Sequence, residues 1–207
     1  MEPSQRQAFE DELVALCARG EFETAASRAI GGYGPELLGF LAAIVGDVSA
    51  ADDVFSAWCE DVWRGLPSFE RRASVRTWLY TLARHAAHRF WRRELKRADR
   101  QSPLEGESLV DRAAAHVRTT TIPWLRSAAR DRLTELRESL PVEDQMILIL
   151  RVDKQLDWDE LVDVLHEGAP FDAAGRKREA ARLRKRFQLV KDRLREQARK
   201  EGLLGSE

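Results

Sequence analysis

SVRTWLYTLARHAAHRFWRRELKR, residues 74–97, is the stretch on which the fold of this chain turns. Val75, Trp78, Leu79, Leu82, Ala83, Ala86 and Phe90 recur at three- and four-residue steps, the spacing of one buried stripe on an α-helix. The other face carries Arg76, Thr77, Tyr80, Thr81, Arg84, His85, His88 and Arg89, and runs on into Trp91, Arg92 and Arg93. A helix that hides an apolar side and shows arginines among aromatics suits a nucleic-acid strand. Guanidinium neutralises phosphate, and rings stack on unpaired bases. The segment reads equally well as a solvated amphipathic helix, so the flanking chain has to decide.

Upstream, a helical pattern runs from Phe9 to Ile30 with an interruption at Gly20. Gly31-Gly32 and Gly34-Pro35 predict a break, with Pro35 as first residue of a new helix bearing Leu37, Leu38, Phe40, Leu41, Ile44 and Val45. Gly46 ends that helix and Ser49 is the expected cap of the next. Val54, Phe55, Trp58, Val62 and Trp63 then repeat at helical spacing, and the loop Gly65–Phe69 leads into residue 74. Downstream, Ser102-Pro103, Gly106 and the Thr119–Thr121 run predict a linker over 98–122. Thr121 would cap a helix reaching Leu140, and Pro141 opens VEDQMILILRV. Asp157 would cap WDELVDVLH, with Trp158, Leu161, Val162 and Leu165 inward, and a loop from Glu167 to Gly175 precedes a last helix from Arg178 to about Lys200. No run alternates like a strand. The expected fold is all-α: two small helical domains, 1–97 and 123–207, joined by a linker.

The net charge of −1 conceals segregation. Residues 1–69 carry 12 acidic and 4 basic side chains, and residues 70–100 carry 10 basic against Glu70, Glu94 and Asp99. The same swing repeats between 131–167 and 176–200, so each module owns one basic helix. In the last helix Leu183, Phe187, Val190 and Leu194 define the buried edge. At about 100° per residue, Arg178, Lys185, Gln188 and Asp192 point away from it, flanked by Arg182 and Arg184. A helix, a connection and a second helix presenting Arg, Lys and Gln has the layout of a helix-turn-helix, in which guanidinium reaches guanine and a Gln amide reaches adenine. The connection is longer than the usual 3–4-residue turn. A solvated basic helix is the alternative for this segment taken alone.

Other chemistries find little support. No apolar run approaches the ~20 residues of a membrane span, and the N-terminus lacks a signal peptide's apolar core, so a cytoplasmic protein without membrane insertion is expected. Cys17 and Cys59 have no neighbouring Cys or His at ligand spacing, so no metal site is expected. His85, His88, His116 and His166 lack a nucleophile arrangement, and no glycine-rich loop cradles a phosphate. Neither a cofactor nor enzymatic activity is expected.

Five segments in series resemble one family. ELVALCARGEFETAASRAIGGYGPELLGFL from Glu12, AADDVFSAWCEDVWRGLPSF and SVRTWLYTLARHAAHRFWRR resemble region two of bacterial RNA polymerase sigma factors, the extracytoplasmic-function group above all. LPVEDQMILILRVDKQLDWDELVDVL followed by LRKRFQLVKDRLRE is similar to their region-four helix-turn-helix. The resemblance covers roughly 12–97 and 133–197 with no region three between. It implies a promoter-specificity subunit whose partners are core RNA polymerase, promoter DNA and an anti-sigma protein. By the same resemblance, Asp52, Asp53, Val54, Trp58, Asp61, Val62 and Trp63 fall on the helix that docks on polymerase. The helix at 74–97 and the loop Leu66–Phe69 would face the minus-ten element, with Arg76, Tyr80, Arg84 and His88 as candidate contacts and Trp78 in the core. Arg184, Lys185 and Gln188 match the minus-35 reader, beside Arg178 and Arg182 from the helical count. The chain departs from the family pattern at Ser56 and Ala57, at His85 and His88, and in an insertion at Gly168–Gly175. Two further readings stay open on the residues: a helix-turn-helix regulator that works without polymerase, and a helical adaptor that binds only protein.

Overall fold

The computed structural model of the chain describes residues 3–98, 134–166 and 172–203. Among these residues there are helices and no strand. In chain order they are α1 (Pro3–Ala18), α2 (Phe22–Val45), α3 (Val48–Gly65), a 3-10 turn (Leu66–Ser68) and α4 (Val75–Ala98). After a helical stretch at 134–138 come α5 (Val142–Leu148), continuing as a π-helical turn (Ile149–Asp153), then α6 (Trp158–Leu165) and α7 (Ala173–Lys200). The expected linker from residue 99 on, the first part of the helix from Thr121 and residues 168–171 of the Gly168–Gly175 insertion lie outside the described residues, whereas Ala173–Gly175, expected in the loop, form the first turn of α7.

The first four helices bundle through the period read from the sequence. Leu37, Phe40, Leu41 and Ile44 of α2 meet Val54, Trp58 and Val62 of α3 and Leu79, Ala83 and Ala86 of α4. Trp58 is fully buried, and its indole Nε1 donates to the Leu79 carbonyl at 3.0 Å, so the ring's one polar atom is satisfied inside the core. Later in the chain, α6 and α5 both pack on α7, and α6 also lies along α4. The two groups of helices also meet through apolar side chains. Met146, Ile147, Leu150, Leu161, Val162 and Val164 belong to the same apolar cluster as Trp58 and Leu79.

Two local expectations are corrected. Pro35 does not start a helix: it lies inside a continuous α2. Proline costs a helix one amide and crowds the carbonyl four residues back, but α2 is held by its packing on α1, α3 and α4. The nearby glycines serve that packing. A Cβ on Gly32 would stand 2.5 Å from the Phe9 ring of α1, so this glycine allows a close approach and makes no turn. The cap of α3 is Asp47, whose carboxylate accepts from the Ala50 amide at 2.7 Å, and Ser49 lies inside the helix. Other stops hold as read: Gly46 closes α2 at φ 75°, and Asp157 caps α6 in a full capping box with Glu160.

The start of α4 is tied to the beginning of the chain. Ser74 Oγ accepts from the Thr77 amide at 3.0 Å, while Glu10 of α1 accepts from the amides of Val75 and Arg76 at 2.7 and 2.9 Å. Glu10 also accepts from the Tyr33 hydroxyl at 2.7 Å. A carboxylate on the unpaired amides of a first turn is favoured by hydrogen bonding and by the helix dipole. Glu10→Ala is therefore expected to lower stability by about 2 kcal/mol, above an ordinary cap loss because two amides and a phenol lose their acceptor together. Urea unfolding measures it, and a loss under about 0.5 kcal/mol would mean that water replaces the carboxylate at no cost.

Candidate nucleic-acid interface

The polar face of α4 is where the structure departs most from the helical wheel. Arg76 is 4% exposed, Arg84 5% and Tyr80 0%, and Thr77 is buried as well. The Arg76 guanidinium pairs with Glu36 of α2, stacks over the Tyr80 ring with 5.4 Å to its centroid, and donates to the Lys154 carbonyl at 2.8 Å. Tyr80 donates its hydroxyl to the same Glu36 carboxylate at 2.6 Å. Burial and the adjacent negative charge hold the Tyr80 hydroxyl firmly protonated. Burial works against charge on Glu36, yet the hydrogen bonds from Arg76 and Tyr80 prevail and hold its carboxyl below the usual range.

Thr77 and its neighbours meet the later helices. Thr77 Oγ1 donates to Glu160 Oε1 at 2.9 Å, and Thr81 Oγ1 and Arg84 Nη1 each lie 3.5 Å from a carbonyl of α6, those of Asp163 and Val164. Solvent reaches α4 further along: His85, Arg92 and Arg93 are exposed, and His88 is half-buried, edge-on to Trp91 at 5.3 Å. Arg89 pairs with Asp61 of α3. Of the four candidates on this helix, the structure thus buries Tyr80 against Glu36 and Phe40 of α2, sets Arg76 between Glu36 and the Lys154 carbonyl, brings Arg84 to α6 and leaves His88 at the rim. Arg92 and Arg93 are exposed cations that the sequence reading does not place among the site residues, although their charge is the available signal.

Between the 3-10 turn and α4 lies a cleft of about 260 Å³ lined by Phe69, Arg72, Trp78, Thr81 and Asp163. Phe69 and Trp78 are tilted against each other, 5.0 Å between centroids. Trp78, expected in the core, is half-buried and forms one wall of this cleft. Asp163, on another side, comes from α6.

On α7 the wheel and the structure agree. Asp172 caps the helix, accepting from the Gly175 amide at 2.7 Å, and Leu183 and Val190 are buried. Arg178, Lys185 and Gln188 lie toward solvent on the opposite side, flanked by the exposed Arg184 and by Arg182, which lines a pocket beside Ile147, Leu165 and Leu183. Arg184 lies over the Trp158 ring at 5.4 Å, which orders the guanidinium without covering it, and Arg182 pairs with Glu179 at 3.3 Å. Two other arginines of α7 are structural. Arg176 bonds Asp163 at 2.6 Å, and Arg186 bonds Asp144 at 2.6 Å and Glu143 at 2.9 Å, which fix α7 to α6 and α5.

The expected polymerase-docking residues divide by burial. Val54, Trp58 and Val62, four residues apart, form the inner stripe of α3 and are at most 1% exposed, so they shape the surface from behind. Asp52 and Asp53 face solvent, Trp63 is 51% exposed, and Asp61 is taken up by Arg89. Ser56 is exposed beside them and returns its hydroxyl to the Asp52 carbonyl at 3.0 Å. Among the described residues no group of His, Cys, Asp and Glu could hold a metal ion, and no helix is long and apolar enough to cross a membrane.

Comparison with known proteins falls on the same segments. Residues 29–97, from α2 through α4, match the family model described as sigma-70 region 2. Over 136 residues the chain is 28% identical to the RNA polymerase sigma factor YlaC of Bacillus subtilis (strain 168), an alignment covering 64% of this chain and 75% of that protein.

Proposed function

We propose, from the premise that this chain is a bacterial RNA polymerase sigma factor of the extracytoplasmic-function group, a division of labour among its surfaces. The chain binds core RNA polymerase and directs promoter recognition and transcription initiation. On α3, Asp52, Asp53 and Trp63 form the docking surface, one aromatic anchor beside two carboxylates, with Val54, Trp58, Asp61 and Val62 holding the helix in shape. Along α4, Arg76, Tyr80, Arg84 and His88, with the loop Leu66–Phe69, hold the opened minus-ten strand. The solvent-facing row Arg178, Arg182, Arg184, Lys185 and Gln188 on α7 reads the minus-35 duplex. The units are 1–97 and 123–207, with 98–122 as the tether, and an anti-sigma protein is a further partner.

No bond is made or broken by the protein in this reading. Strand opening is driven by binding, with arginine on phosphate and aromatic rings on unstacked bases. The carrying observation is that a chain matched to region 2 through α4 also presents, on a separate helix, a solvent-facing row of four cations and a glutamine. Transcription with purified core polymerase on a promoter library is the test: start sites that appear only when the chain is added are expected. Their complete absence, with polymerase active on non-specific templates, would sink the reading.

A further inference from the structure

One exposed arginine of α7 is not left to find its own position. Arg184 lies over the indole of Trp158, the first residue of α6, 5.4 Å from the ring centroid. The ring is in turn held by its neighbours. The Asp157–Glu160 capping box fixes the backbone at its root. Phe187 of α7 meets the half-buried ring edge-on at 5.6 Å, and both pack against the apolar core. Arg151 stands over the same ring at 5.0 Å, and its Nη1 donates to the Leu156 carbonyl at 2.6 Å, just ahead of Trp158. Two guanidiniums thus share one indole on different terms. Arg151 is half-buried and commits a donor to the turn between α5 and α6, while Arg184 reaches the ring from an exposed position on α7.

We infer that Trp158 is a positioning residue for duplex reading: it holds the Arg184 guanidinium in one setting before DNA arrives, with Arg151 and Phe187 bracing the ring. The inference rests on the reading of α7 as the duplex reader. An arginine loose on a helix surface samples many rotamers, whereas a bidentate bond to guanine needs one plane and one reach. Ordering the side chain beforehand removes that entropic penalty from binding. A cation–π contact suits the task. It attracts the guanidinium through its charge and occupies none of its N–H donors, which remain for a base. A carboxylate in the same place would order the arginine but compete for those donors, as Glu179 does with Arg182 at 3.3 Å. The effect of Trp158 on sequence preference therefore passes through Arg184, without a contact between the indole and DNA.

The test is a double-substitution cycle on the full chain, with Trp158→Leu, Arg184→Ala and the two together. Two dye-labelled duplexes serve as probes: one that the parent chain selects from a random-sequence pool, and one of random sequence. Trp158→Leu is expected to weaken the selected duplex about three- to tenfold and to leave the random duplex within about twofold. Once Arg184 is already alanine, the same substitution should cost less than about twofold. Trp158→Phe, which keeps a ring face, should recover most of the loss. A full effect of Trp158→Leu in the Arg184→Ala background, or none in the parent, overturns the inference and leaves α7 as the reader. A pool from which the parent selects nothing, or unchanged affinity in Arg184→Ala, overturns the reading of α7 instead, and the inference falls with it. Should Trp158→Leu lose its helical circular dichroism, nuclear magnetic resonance of the parent decides. The Arg184 Nε–H proton, assigned by its loss in Arg184→Ala, is expected to be shifted by the indole ring current, and a resonance at the free-arginine position overturns the inference.

Discussion

Glu36→Ala is expected to destabilise the chain by about 3–5 kcal/mol, the cost of leaving a buried guanidinium without its counter-charge. Arg76 is 4% exposed, and among the described residues Glu36 is the carboxylate that its guanidinium pairs with. The substitution also removes the acceptor of the Tyr80 hydroxyl, inside the same core. Both losses fall on one network, so they do not add as independent terms. Glu36→Gln should cost less, because an amide oxygen still accepts from Arg76 and Tyr80 while only the charge is gone.

The acid limb of stability follows from the same carboxyl. The folded-state pKa of Glu36 lies below 4.5, since the bonds from Arg76 and Tyr80 outweigh its burial. A depressed folded pKa means that this contribution is complete above the unfolded value and disappears as pH falls through the lower folded one. Urea unfolding followed by tryptophan fluorescence between neutral and acid pH should show the parent losing stability below about pH 4.5, and Glu36→Gln losing less over the same range. An Ala variant within about 1 kcal/mol of the parent at pH 7 would show that Arg76 finds solvent or another partner, contrary to the buried pair.

The second large effect is functional. Replacing Arg184 and Lys185 together with alanine is expected to weaken duplex binding by about 2–4 kcal/mol, roughly 30- to 1,000-fold, as the loss of one base-reading arginine and one phosphate-binding lysine would. The log–log salt dependence should flatten by about one for each phosphate that is no longer neutralised. Both residues are exposed, and Arg184 touches the protein through one cation–π contact with Trp158, so the fold should survive within about 1 kcal/mol. Binding titrations at several salt concentrations, with promoter transcription measured alongside, separate this outcome from unfolding. Equal duplex affinity in parent and double variant would remove α7 as the reader. As an internal contrast, Arg186→Ala should damage stability more than DNA binding, because Arg186 is engaged with Asp144 and Glu143.

Much of this is open to inspection in the residues alone. The three-and-four spacing of Val54, Trp58 and Val62 puts them inside without reference to any coordinate, and the stripe Leu183, Phe187, Val190 and Leu194 leaves Arg184, Lys185 and Gln188 pointing outward. Gly46 and Asp157 mark helix ends because their local chemistry suffices. Pro35 misleads because the feature that overrides its local signal, the Phe9 ring against Gly32, comes from another helix.

The polar side of α4 shows where periodicity runs out. A helical wheel sorts side chains by hydropathy and so sends Arg76, Tyr80 and Arg84 to solvent. Whether a cation can leave water depends on what stands opposite it, here Glu36 on another helix and the Lys154 carbonyl 78 residues away. All-helical character, the boundaries of the buried stripes and the two cationic helices follow from the order of the amino acids, since each depends on near neighbours. Which of those cationic faces is open follows from partners distant in the chain, because the free energy of burying a charge is set by the groups that folding brings to it.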